Sequence, residues 1–165
     1  MILYHGSNII VEKPRILQNL RALDFGAGFY LTSSKEQAKK WGTTVSKNRE
    51  EGVPTVNTYS FDTLDSTSLK ILEFTKPDGK WLDFVVANRK ELAFKVKYDL
   101  VIGPVANDTT LTVINDYMSG RFSKRDAIRF LKPQKLTDQY CFLSDKALSL
   151  LVFKGSEQWI PQYYD

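Results

Sequence analysis

The chain has 165 residues, 42% hydrophobic and 25% charged, with a net charge of +4. That length suits one domain, spanning residues 1–165, with a real core and no need of staples. A single cysteine and a single histidine exclude an internal disulfide and a zinc site of the usual Cys/His kind, and no apolar run approaches the ~18 residues of a membrane span.

The start, MILYHGS, has no basic segment leading a long apolar one, so no signal peptide is expected and the cytoplasm is the simplest location. ILYH at residues 2–5 reads as a short buried strand and holds His5, the only imidazole. Residues 13–28 contain Pro14 and two glycines and read as irregular. GFYLT is a second short strand, with Gly26 and Gly28 before it permitting tight turns. SSKEQAKKW opens a helix, capped by Ser33 with Glu36 or by Ser34 with Gln37. Ala38, Trp41 and Val45 fall at helical spacing and mark its inner face.

TVNTYSF and LKILEF have strand composition. DGKWLDFVVANRKEL reads as a helix with Asp78 as cap, and DLVIGPV as a central strand. TLTVINDYMSG is a helix closed by Gly120. SKRDAIRFLKP is another, opened by Ser123 with Asp126 and stopped near Pro133. QYCFLS is a strand, SDKALSLL a short helix and LVFKGS a final strand. Seven short strands interrupted by unequal helices, without regular βαβ alternation, predict an α+β fold rather than a doubly wound one.

Several chemistries are set aside. GAGFYL has Leu31 where a dinucleotide fingerprint needs its third glycine. There is no Walker A pattern and no Gly-x-Ser-x-Gly elbow. A Cys141–His5 nucleophilic pair is formally available, but Cys141 lies in an apolar run and reads as a small buried hydrophobe. Basic residues are scattered, and the densest groups, KEQAKK and KRDAIRFLK, read as solvated helix faces, so a nucleic-acid partner is the weakest of the function classes considered.

His5 on the first strand, Tyr30 on the second and Gln139 on a late strand form, in that order, a pattern that resembles the ADP-ribosyltransferase superfamily. The segments LYHGSN, LDFGAGFYLT, QAKKW, WLDFV, DLVIGPVAND, LKPQKLTDQYCF and KAL resemble more closely the bacterial DUF3990 family, from residue 3 to about 148. The resemblance implies a mixed β core of split sheets with surrounding helices, and NAD as substrate with no metal. It implies a mono-ADP-ribosyltransferase, of a class whose small stand-alone members often act as toxins or effectors, with an antitoxin among the expected partners. The acceptor is left open among protein, nucleic acid, small molecule and water. RNA 2′-phosphotransferases share the superfamily fold but use further histidines, which this chain lacks.

Carried over residue by residue, the resemblance puts His5 on the adenine-side ribose, where a neutral imidazole both donates and accepts. Ser7 joins it there. Gly6 offers its backbone to the nicotinamide amide, Tyr30 stacks on the nicotinamide ring, and Thr32 and Trp41 line the same cleft. The third position is glutamate in most of the superfamily; Gln139 brings no charge to the positive ribose that develops as the glycosidic bond breaks. That leaves an inactive NAD- or ADP-ribose-binding module as the alternative. Asp138, Asp24 and Asp83 are the carboxylates that could replace the missing charge, and a Gln139→Glu substitution is expected to raise cleavage if charge is all that the cleft lacks.

Overall fold

The computed structural model describes residues 1–17, 23–62, 65–90 and 97–160. Two small sheets and five helices make up the described chain, an α+β arrangement. The first sheet is antiparallel, in the order β1 (Ile2–Ser7), β3 (Thr55–Phe61), β7 (Leu151–Gln158). The second runs β2 (Phe29–Leu31), β6 (Asp138–Phe142), β5 (Leu100–Pro104), β4 (Ile71–Glu73), with only the β4–β5 pair parallel. The sheets touch through one isolated bridge, Tyr4 to Thr32, whose backbone groups exchange bonds of 2.8 and 2.9 Å.

Strand periodicity sends alternate side chains into two apolar clusters. Leu100 and Phe142 join Leu3, Leu31, Tyr59 and Phe61, from strands of the first sheet and β2. Val101 and Cys141, one position along, face Trp81, Leu82, Val85, Ile114 and Leu131 on the helices. This is why DLVIGPV reads as a continuous apolar run: β5 lies inside its sheet and has both faces covered.

The helices are α1 (Lys35–Arg49), α2 (Gly79–Arg89), α3 (Asp108–Met118), α4 (Lys124–Leu131) and α5 (Asp145–Leu148). Asp78 caps α2 by accepting from the N–H groups of Lys80 and Trp81, and Ser123 caps α4 through the N–H of Asp126. Each such cap satisfies a donor the helix leaves open, worth about 1 kcal/mol. At α1 the cap is Ser34, which accepts from Gln37 N–H; Ser33 instead bonds Asp138 across to β6. Gly120 follows α3 with φ of 78°, the left-handed geometry expected of a closing glycine. The expected helix from Asp78 reaches Arg89, and its last two residues, Glu91 and Leu92, lie outside the described residues.

α1 packs against β1 at Gly6. A Cβ on Gly6 would stand 2.0 Å from the Ala38 carbonyl oxygen and 2.6 Å from the Gly42 nitrogen. Only a glycine lets the helix approach this closely. Ala38 is buried at the contact, while Trp41 and Val45, on the same side of α1, are half-buried and face a cavity.

Candidate functional site

The topology places β1, β2 and β6 side by side: β1 bridges to β2, and β2 pairs with β6 so that Tyr30 lies opposite Cys141. His5, Tyr30 and Gln139, one from each strand, consequently line one cavity of about 310 Å3. Gly6, Trp41, Asp24 and Arg89 complete its polar and aromatic wall. A second chamber of about 460 Å3 shares His5, Tyr30 and Leu23 with the first. Ser7 lines this second chamber, together with Phe29 and the cations Lys13, Arg15 and Arg49.

His5 is held by its Nδ1, 2.7 Å from the Tyr30 carbonyl oxygen. A carbonyl only accepts, so Nδ1 carries the proton and Nε2 keeps a free lone pair. Burial pushes the pKa down to about 4; the bond to Tyr30 works against that shift and the Arg49 charge adds to it. The ring is therefore neutral at pH 7, and it packs at 4.2 Å against the Phe29 ring.

Tyr30 spends its hydroxyl on the loop before β2. It donates to the Gly26 carbonyl at 2.7 Å and accepts from Phe25 N–H at 3.0 Å. Gly26 takes φ of 97° in that loop, which suits glycine. Burial raises the phenol well above its ordinary pKa, so Tyr30 stays uncharged where it lines the two chambers.

Gly6 contributes through its backbone. Residues 1, 3, 5 and 7 share the parity that pairs with β3, as the Met1–Phe61 bonds fix. Tyr4 points its N–H and C=O the other way, to Thr32. By the same alternation Gly6 directs its N–H and C=O away from β3, to the side where β1 and β2 part. The glycine thus serves twice: its missing Cβ admits α1, and its amide groups edge the cavity.

Gln139 is buried, with 3% exposure. Its Nε2 donates to Asp24 Oδ2 at 3.3 Å and to the Pro104 carbonyl at 3.2 Å. That uses both amide hydrogens and turns Oε1 from those partners. Asp24 is itself buried; its Oδ1 receives both Arg89 Nε (2.8 Å) and Arg89 Nη2 (2.6 Å).

Other expected residues lie elsewhere. Thr32 is fully buried but does not line the cavity; its hydroxyl donates to Asp138 Oδ1 and accepts from Ser34 N–H, tying β2 and α1 to β6. Asp138 is occupied by those bonds, and Asp83 pairs with Lys124 at 2.6 Å on an exposed face. Of the three carboxylates considered, only Asp24 lines the cavity. Arg89 and the cations of the second chamber were not visible as site residues in the sequence, because nothing local ties them together. Cys141 is buried, with its thiol pushed up to about 12 by desolvation. Among the described residues no group of three or more His, Cys, Asp or Glu side chains is placed to hold a metal ion, and no helix is long and apolar enough to cross a membrane.

Comparison with curated proteins and with solved structures gives no match. A family model described as a protein of unknown function, DUF3990, matches residues 1–153. With nearly its whole length matched, including every strand and helix that lines the two chambers, the chain belongs to the DUF3990 family.

Proposed function

We propose that the protein is an NAD-dependent mono-ADP-ribosyltransferase. The observation that supports this best is the meeting of His5, Tyr30 and Gln139 at one cavity, which shares His5, Tyr30 and Leu23 with a second, cationic chamber. NAD has a flat cationic ring at one end, two phosphates in the middle and hydroxyls on both riboses. The first chamber offers an aromatic face on Tyr30, an amide edge at Gly6 and the carboxamide of Gln139. The second offers Lys13, Arg15 and Arg49, none of which has a carboxylate partner among the described residues. Phosphates suit cations without a carboxylate partner, although Arg49 already donates from Nη1 to Asn8 Oδ1 at 3.1 Å. His5 stands at the junction, neutral and with Nε2 ready to accept from a ribose hydroxyl.

In the reaction the bond between nicotinamide nitrogen and ribose breaks, and its electron pair leaves with nicotinamide. A nucleophilic oxygen or nitrogen of the acceptor, or water, bonds to the ribose carbon and loses its proton to solvent. The chain's part is to orient the two halves and to set oxygen atoms toward the ribose as positive charge develops there. In this reading the protein is an effector or toxin acting inside a bacterial cell.

One observation favours a second reading, an NAD-binding module without turnover: the third position carries a neutral amide, and the carboxylate beside it is paired with Arg89. Incubating the full chain with adenylate-labelled NAD and a bacterial lysate decides between them. Released nicotinamide together with a labelled component supports the transferase. NAD bound without nicotinamide release supports the module, and no binding overturns both.

A further inference from the structure

We infer that Asp24 and Arg89 are positioning residues that make a glutamine, rather than a glutamate, the working residue at position 139. The inference rests on the transferase reading and concerns how its third residue is set. Position 139 faces two acceptors at hydrogen-bond distance, Asp24 Oδ2 at 3.3 Å and the Pro104 carbonyl at 3.2 Å. Such a place calls for a group with two donors on one atom, and the carboxamide nitrogen supplies them. A carboxylate there would set oxygen against oxygen, with a second negative charge beside Asp24 in a buried setting.

Asp24 in turn has its two oxygens divided. Oδ1 takes both Arg89 contacts, and Oδ2 is left for Gln139 and, at 3.4 Å, the Ala106 N–H. Arg89 thereby fixes the carboxylate, and the carboxylate fixes which end of the amide points where. Swapping the ends of the Gln139 amide would put Oε1 against two acceptors, so the network permits one orientation. In that orientation Oε1 is the atom left to meet a ribose hydroxyl. The charge on Asp24 also polarises the amide, drawing electron density toward Oε1.

A site that had merely lost its glutamate would gain from Gln139→Glu. This network demands the opposite, and it demands a rescue by exchanging the two partners. The experiment compares wild type, Asp24→Asn, Gln139→Glu and the double variant, by thermal unfolding and by nicotinamide release from NAD. At pH 7.5, Gln139→Glu is expected to lower the melting temperature by roughly 4–8 °C and turnover by roughly ten-fold or more. Asp24→Asn is expected to lower kcat by a similar factor. In the double variant the new amide at 24 donates to the new carboxylate at 139, while the Pro104 carbonyl still faces an oxygen and Arg89 lacks its carboxylate, so rescue is partial: the losses in turnover and melting temperature are clearly smaller than the sum of the two single losses. Where Asp24→Asn leaves Arg89 unpaired and the variant does not fold, Gln139→Glu alone suffices. Its stability relative to wild type should recover between pH 7.5 and 5, as the new carboxyl takes up a proton and donates it to Asp24.

Turnover of Gln139→Glu at or above wild type overturns the inference, as does a double variant whose losses simply add. Wild type that releases no nicotinamide overturns the transferase reading itself. In that case the unfolding data still show whether residues 24 and 139 are paired.

Discussion

The one imidazole of the chain gives the sharpest handle on this cleft. His5 is held neutral in the fold, with a pKa of about 4 against 6.5 when unperturbed. Above pH 6.5 the ring is uncharged in both folded and unfolded chains and contributes no pH dependence. As the pH falls from 6.5 toward 4, the unfolded chain takes up a proton that the folded chain refuses, so stability falls with the pH. Across that window the loss comes to about 3 kcal/mol, a large share of a typical domain's stability. Other groups titrate in the same range, so the perturbation is His5→Asn, which keeps a donor near the Tyr30 carbonyl and cannot charge. Urea unfolding of both proteins at pH 7.5, 6.5, 5.5 and 4.5 isolates the histidine. The variant starts less stable, having lost the packing on Phe29, and the gap between the two proteins narrows as the pH falls. With a single histidine in the sequence, one imidazole Cε1–H resonance reports the same titration directly. Parallel pH profiles, or a resonance titrating near 6.5 in the folded protein, would show that His5 is not held neutral by burial.

Gly6→Ala forces a methyl group against α1 backbone at 2.0 and 2.6 Å. Overpacking of this kind costs about 3 kcal/mol, or roughly 6–12 °C in the thermal midpoint of a chain this size, read by circular dichroism. Cys141, buried with its thiol raised to about 12, should resist iodoacetamide at pH 8 in the folded protein and react fully in denaturant, as mass spectrometry will show. Lys13→Ala and Arg15→Ala, both exposed and lining the second chamber, should each weaken NAD binding by roughly five-fold, about 1 kcal/mol. Calorimetry at low and high salt checks this, with the salt dependence smaller in the variants than in wild type.

The elements were readable because their signals are local. Asp78 and Ser123 stand at helix starts where their side chains meet open N–H groups within three residues. The strands were marked by short apolar runs or, as in TVNTYSF, by β-branched and aromatic content, and the burial of β5 by the continuity of its run. The site was readable only in part. His5, Tyr30 and Gln139 stood out only through the resemblance to the ADP-ribosyltransferase superfamily, each being weak alone, and the sheets bring their strands together. What they bond to could not, because Gln139 meets Asp24 across 115 positions and Asp24 meets Arg89 across 65. Without those partners Gln139 looks like a glutamate that was lost. Gly6 shows a different difficulty. A glycine tells that something comes close, and not whether that is a ligand or, as here, also a helix. The cations escaped notice because Lys13 and Arg15 sit in a stretch without regular periodicity, and Arg49 ends a helix whose charges read as solvated.

A crystal structure of the protein with NAD decides whether the two chambers form one seat for the dinucleotide, as proposed. The expected density shows the nicotinamide ring on Tyr30 with its amide at the Gly6 backbone, a ribose hydroxyl on Gln139 Oε1, and the phosphates among Lys13, Arg15 and Arg49. Density for NAD elsewhere, for example in the hollow lined by Thr43, Asn107 and Trp159, with both chambers empty, would contradict the proposal.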